Sequence, residues 1–276
     1  MVSPLRLKSE KVGKTKIAQE RPFLRVIVDT GVFHLDQEYD YLLPDKYDLN
    51  PGQWVSVPFK NRNCPALIIS RTSRPSGHIP ASKILPINRP IRAPFINAEF
   101  LSFYQVVAQR WCSSIFDVLR FIGKQQERSP SNPIKGQGKR LYQQLSPYQD
   151  EISQVREIAL KISKTGRTLL IVPEKRTFEL LASDNYEIGM RGTVLSPESY
   201  TNLIVLREDS EHQYELKSPG FNTRDVALIR NDVLSENLLF LGFSPSIELS
   251  RLIESGYISN TAKRPKINLS NTVFAS

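Results

Sequence analysis

The sequence predicts an α+β chain in two parts. A small β-rich, barrel-like module closed by helices comes first, and an α/β domain on a parallel sheet follows. Two observations carry this reading. Between residues 23 and 87, short runs of aromatic and β-branched residues alternate with Pro-Gly and Ser/Gly punctuation, the pattern of a compact β module. After residue 148, amphipathic helical patterns alternate with continuous apolar runs, which is how strands covered on both faces of a parallel sheet read.

Charge divides along the same line. The 276 residues have a formal net charge of +9, yet the first 125 carry 18 Lys/Arg against 10 Asp/Glu while the remainder carry 19 against 18. The basic character belongs to the first half, and the partner it implies is a polyanion. A hydrophobic content of 40% suffices for ordinary cores. Cys64 and Cys112 lack CxxC spacing, so no metal site or disulfide is expected and both read as free thiols in a reducing cytosol. No apolar run approaches the roughly 18 residues that cross a bilayer. No signal-peptide core is apparent, so a soluble, cytoplasmic chain without a membrane partner is expected.

Residues 1–21 are polar and basic, and read as a mobile arm. Gly13-Lys14-Thr15 resembles the end of a phosphate loop, but Lys8 stands where its first glycine belongs and no strand precedes it. The module spans 22–122. Its strands are expected over 23–29, around Tyr39, around Trp54, over 66–70 and over 83–87, with a turn at Asn50-Pro51-Gly52. Asp40 lies between Tyr39 and Tyr41, so on a strand its carboxylate projects opposite the rings. Residues 49–98 contain no acid, while Lys60, Arg62, Arg71, Arg74, Lys83, Arg89 and Arg92 are cationic. One acid among aromatic rings beside an acid-free basic stretch suggests a nucleic-acid site where bases stack and phosphates meet cations. A helix from Asn97 with apolar positions through Trp111, and a second over 114–121, close the module.

Residues 123–147 read as a linker rich in Gly, Pro, Ser and Gln. Ser146, Pro147 and Gln149 then look like a helix start. The second domain is expected over 148–258, with strands at 168–172, 193–195, 203–206 and 238–241 and helices near 223–230 and 246–254. A polar tail over 259–276 ends the chain.

Read in order, these segments resemble the bacterial replication-restart family PriA (primosomal protein N′). In the first half the resemblance rests on Val26-Ile-Val-Asp29, Tyr39-Asp-Tyr-Leu-Leu-Pro44, Pro51-Gly52, Val55-Ser-Val-Pro-Phe59 and Trp111…Phe116-Asp-Val-Leu119. In the second it rests on Gly166-Arg-Thr-Leu-Leu-Ile-Val-Pro-Glu174, Asn202-Leu-Ile-Val-Leu206, Thr223-Arg-Asp-Val-Ala227 and Gly242…Ser244-Pro-Ser-Ile-Glu248. It implies a 3′-end DNA-binding module followed by a RecA-like partial helicase lobe, with forked DNA bearing a 3′-hydroxyl as partner and other primosome or replication proteins beside it. Tyr39 and Asp40 correspond to the family's aromatic-Asp pair at the terminal sugar hydroxyl, and Lys83 to a family lysine. Lys60-Asn61-Arg62 replaces a glycine-containing loop. A carboxylate accepts a hydrogen bond from a free hydroxyl but repels the phosphate of a continuous strand. The alternative is that Asp40 only pairs with an arginine.

The family's ATP and magnesium site looks degenerate. Gly123-Lys124-Gln125 and Gly138-Lys139-Arg140 lack the glycine and hydroxyl of a phosphate loop, and no such loop is seen before the strand at 168. Its acidic motif corresponds to Arg207, Glu208, Asp209 and Ser210, with an arginine where a metal-binding aspartate belongs. The zinc-binding cysteines and second helicase lobe are not seen. The resemblance therefore implies a reduced member with no cofactor, no catalytic residue and no metal ligand. Two other readings remain: an active ATP-dependent 3′–5′ helicase, and an interaction scaffold of the primosome. His212 and Tyr214 read as a solvated loop, because no second titratable group is spaced to cooperate with them.

Overall fold

The structure is a computed structural model that describes residues 16–77, 80–122 and 136–261. Most of the basic arm, Gly13-Lys14-Thr15, Gly123-Lys124-Gln125 and most of the tail lie outside the described residues. The fold class is mixed α+β, and the chain divides into two compact units at Ala98.

The first unit is an antiparallel sheet of β1 (Phe23–Val28), β2 (Glu38–Leu42), β3 (Trp54–Phe59), β4 (Arg62–Thr72) and β5 (Arg89–Ile91), in the order β2-β1-β4-β3-β5. Period-2 alternation explains its core. Val55 and Val57 of β3, Leu24 and Val26 of β1, and Ala66 and Ile68 of β4 are buried together with Tyr41. Between Arg25 and Val26 the register skips Ile69, the extra residue of a bulge that bends β4 against β1. The chain at 85–88 then joins the two ends of the sheet. Leu42 N donates to Leu85 O (2.9 Å), Ile87 N to Leu42 O (3.1 Å), and Asn88 N to Ser56 O (2.8 Å). The expected barrel-like character comes from this closure.

At Gly52 (φ +90°) a Cβ would meet the carbonyl oxygen of Ile96 at 2.2 Å, so only glycine fits this turn. The β3–β4 turn is made by Lys60 (φ 44°) and Asn61 (φ 62°), both left-handed without being glycine. Two expectations fail here. Residues 83–87 are not a strand: Ala81–Lys83 is a 3₁₀ turn, and the strand comes later as β5. Pro86 and Pro90 have no N–H, which limits how far this stretch can continue a ladder. The described end of the arm is also held, with Ala18 N on Leu43 O and Asp45 N on Lys16 O, each at 2.9 Å.

The second unit contains α1 (Ala98–Arg110), α2 (Ile115–Leu119), β6 (Arg140–Gln144), α3 (Glu151–Ser163), β7 (Thr168–Ile171), α4 (Lys175–Leu181), β8 (Glu187–Gly189), β9 (Asn202–Leu206), α5 (Thr223–Leu234), β10 (Asn237–Gly242), α6 (Ile247–Glu254) and β11 (Ser259–Asn260). Its sheet is parallel, in the order β11-β6-β10-β9-β7-β8. Strands β7 and β9 are buried along their length, as continuous apolar runs require.

Several boundaries differ from expectation. Part of the supposed linker is β6, and part of the supposed tail is β11. Only Tyr142 of β6 is buried, so its polar sequence hides a strand. The helix starts later than Ser146-Pro147: Asp150 caps α3 by accepting from Ser153 N at 2.8 Å. Residues 193–195 belong to a 3₁₀ turn (Arg191–Leu195), because a three-residue apolar run cannot distinguish strand from any other buried segment. The helices assigned to the first module pack in the second unit, where Tyr104 Oη donates to Leu195 O at 2.9 Å.

Arg230, at the centre of that packing, is fully buried. Its Nε and Nη2 bond Glu236 at 2.6 and 2.9 Å, and Nη1 bonds the carbonyls of Val194 and Ser196 at 2.9 and 2.8 Å. Nη2 also reaches the carbonyl of Glu198. Burial pushes the guanidinium pKa down, but Glu236 outweighs it and the net shift is upward. Arg230→Met leaves Glu236 buried without its counter-ion, and is expected to cost about 3–5 kcal/mol of stability by urea denaturation.

Candidate nucleic-acid interface

The sheet closure leaves a cleft of about 620 Å³ beside β2. One wall is the chain from Gln37 to Tyr41, and the other is formed by Ser76, Lys83, Ile84 and Leu85. Alternation along β2 sets the roles of its residues. Tyr41 faces the core, donates to Pro58 O at 2.9 Å, and has its hydroxyl pKa pushed up to about 12 by burial. Tyr39 packs on the same core, with its ring 5.1 Å from that of Phe59 in an edge-to-face contact, and its hydroxyl donates to Leu35 O. The Tyr41 ring is buried in the core, whereas the half-buried Tyr39 also lines the cleft. The exposed apolar surface of the cleft is Leu85, 54% accessible.

Asp40 points away from the rings, as its place on the strand requires. Its Oδ2 accepts from Ser76 N at 2.6 Å and from Ser76 Oγ at 2.5 Å. Its Oδ1 lies 3.8 Å from Arg25 Nε, a charge contact beyond hydrogen-bond range. No hydrogen bond reaches Oδ1 among the described residues, and the atom is shut off from solvent. Arg25 is shared with Glu38, 3.4 Å from Nε. Asp40 thus has an arginine neighbour, yet the arginine leaves its hydrogen-bonding capacity unused.

The structure separates the expected DNA-binding residues into two groups. Tyr39, Asp40 and Lys83 line the cleft; Lys60 and Arg62 do not. Lys60 and Arg62 stand exposed at the β3–β4 turn, with Lys60 Nζ 5.9 Å above the ring of Phe59. Arg71 is committed elsewhere: it bonds Asp48 and the carbonyls of Glu20, Arg21 and Leu49, tying down a turn. Sequence reasoning missed Ser76 and Arg25. Arg25 is legible only through the pairing that sets it opposite Asp40, and Ser76 lies 36 residues away in a loop.

Residues 25–122 match the 3′DNA-binding domain (3′BD) of PriA. The match begins in β1 and extends through α1 and α2. Proteins named probable replication restart protein PriA from Mycobacterium tuberculosis and Mycobacterium bovis are 23% identical over 308 aligned positions, covering 86% of this chain. The chain spans about half the length (47%) of these curated relatives.

Beyond the segment matched to the PriA domain, the parallel sheet offers a second place to look for a ligand. Strands β6 and β10 are neighbours, but α3 leads from β6 to β7 while α6 leads from β10 to β11, so the connections diverge at their carboxyl ends. Such a switch point is where ligands bind in open α/β sheets. The β6–α3 loop there reads Leu-Ser-Pro-Tyr-Gln-Asp over 145–150, without glycine or lysine. Gly138-Lys139-Arg140 enters β6 at the opposite end. In the first turn of α3 the Ser153 amide donates to the Asp150 carboxylate. The Asp150 carboxyl is held below its usual range by hydrogen bonds from Ser153.

Arg207 follows β9 with φ 48°. Its guanidinium lies 3.3 Å from Glu151 and 3.6 Å from Glu174, and donates to Thr177 Oγ1. Glu208 is buried and fully engaged. Oε1 accepts from Ser246 N at 2.8 Å, and Oε2 accepts from Ser246 Oγ at 3.1 Å and Arg224 Nη1 at 3.3 Å. Ser210 Oγ accepts from His212 N, Asp209 is exposed, and His212 and Tyr214 are exposed as expected of a loop.

The two basic groups are expected to behave differently. Lys60→Ala and Arg62→Ala should each flatten the salt dependence of DNA affinity by roughly one unit, whatever the end chemistry of the DNA. Lys83→Ala should lower affinity most for DNA with an accessible 3′ end. Fluorescence anisotropy across a salt series, on open-ended and circular single strands, separates these outcomes.

Proposed function

We propose that this chain binds DNA in replication restart and recognises forks through the 3′ end of a nascent strand, acting in the cytoplasm with other replication proteins. The single observation that carries the reading is a carboxylate, Asp40, set in a cleft with a lysine, inside the segment that matches the PriA 3′DNA-binding domain. A terminal hydroxyl can donate to that carboxylate, whereas a phosphodiester in the same place offers no proton and adds like charge. In this reading Lys83 meets the preceding phosphate, and the exposed Leu85 meets the sugar or base. The names of the curated relatives support replication restart as the setting.

We further propose that the second unit acts without hydrolysing ATP. The donor set at the carboxyl ends of its strands does not fit a magnesium nucleotide. The loop at 145–150 supplies no lysine, α3 begins with two carboxylates, and Glu208 has committed both oxygens to protein donors. Phosphoryl transfer depends on positioning and charge neutralisation, and the charges offered at this edge are of the wrong sign or already paired.

Two experiments test these readings. Asp40→Asn should weaken binding to DNA ending in a 3′-hydroxyl about tenfold or more, while leaving binding to a 3′-phosphate end no weaker, since the like charge is removed. Equal losses on both ends would sink the cleft assignment. A DNA-stimulated phosphate-release assay should show no turnover above background. Turnover abolished by a substitution in this chain, such as Glu208→Gln, would overturn the second proposal.

A further inference from the structure

We infer that, in the free protein, the Ser76 hydroxyl occupies the place on Asp40 that a strand's terminal hydroxyl takes on binding. This rests on the reading of the cleft given above. A carboxylate has about four lone-pair sites, two on each oxygen. Ser76 fills both sites on Oδ2, with its backbone N–H at 2.6 Å and its hydroxyl at 2.5 Å. Oδ1 cannot serve in their place, because it is sealed from solvent on the side of Arg25. The Asp40 side chain as a whole is only 5% accessible. An arriving hydroxyl therefore finds no vacant site, and must exchange with the one protein donor that can leave without moving the backbone. That donor is the Ser76 side chain.

The exchange replaces one alcohol by another on the same oxygen. It is balanced in hydrogen bonds: Asp40 keeps two donors on Oδ2, and Ser76 Oγ turns to water in the exposed loop where it lies. The empty cleft thus avoids the cost of an unsatisfied buried carboxylate. A terminus without a donor has nothing to exchange. A 3′-phosphate or a 2′,3′-dideoxy end would displace a good hydrogen bond and return none. Ser76 accordingly lowers affinity for every end, and only a hydroxyl replaces the bond that is displaced; Ser76 sets how tightly the cleft holds any end, a role that sequence gives no reason to suspect.

The test uses the full chain with Ser76→Ala, Ser76→Cys and Ser76→Thr, and oligonucleotides ending in a 3′-hydroxyl, a 2′,3′-dideoxynucleotide or a 3′-phosphate. Wild type should prefer the hydroxyl end. Ser76→Ala keeps the backbone bond and loses the competitor, so it should bind the hydroxyl end about three- to tenfold more tightly, the worth of one net hydrogen bond. Its affinity for the other two ends should rise by a similar factor, because they too no longer displace the serine hydroxyl, so the preference for the hydroxyl end is kept. Ser76→Cys, similar in shape with a weak donor, should move the same way by less, and Ser76→Thr should restore wild-type behaviour. If wild type prefers the hydroxyl end but Ser76→Ala binds it no better, or worse, Ser76 is not a competitor and this inference fails while the cleft reading stands. If wild type binds hydroxyl and dideoxy ends equally, both fail together.

Discussion

The first unit depends on one constraint: the open edges of a five-stranded sheet must be satisfied. The order β2-β1-β4-β3-β5 leaves β2 at one edge, with unpaired amides and carbonyls that attract other chains. The protein answers with its own backbone, passing residues 85–88 between Leu42 and Ser56. The same crossing supplies the second wall of the cleft, because Leu85 begins it and Lys83 and Ile84 immediately precede it. Edge protection and site construction are therefore one event. The bulge in β4 and the left-handed turn at Lys60-Asn61 serve the same curvature.

Much of this was legible in the sequence, for physical reasons that differ by element. Strands β1, β3, β7, β9 and β10 announce themselves because burial on one face or both imposes period-2 or continuous apolar runs. The orientation of Asp40 followed from the same alternation. Where burial is weak, the signal vanishes. Strand β6 has the sequence Arg-Leu-Tyr-Gln-Gln and one buried residue, so it looks like the polar linker before it. Residues 83–87 have strand composition but two nearby prolines, and they satisfy an edge without forming a full ladder. The unit boundary was hidden for another reason. The stripe on α1 says that the helix is buried, and only the Tyr104 and Arg230 contacts say against what.

Candidate residues divide in the same way. Chemistry that sits on one strand, as at Tyr39-Asp40, can be read directly. Chemistry assembled across the chain cannot, which is why Ser76 and Arg25 went unseen. The four residues 207–210 were found by position, but their present work is local. Arg207 holds the starts of α3 and α4 to the end of β9 through Glu151, Glu174 and Thr177. Glu208 ties α5 and α6 to the same edge through Arg224 and Ser246. These charges act as cross-braces between secondary-structure elements.

The Arg230 clamp has a consequence for how this sequence can drift. It grips the carbonyls of Val194, Ser196 and Glu198, and carbonyls are the same in every residue. Through this contact the segment is held by its path and not by its side chains. Substitutions at those three positions leave the grip intact as long as the backbone keeps its course. The hereditary burden passes to the two ends of the buried pair: Arg230, whose planar five-donor fork no lysine can imitate, and Glu236, which keeps that fork aligned. Lineages of this fold should vary along the turn and stand still at the clamp.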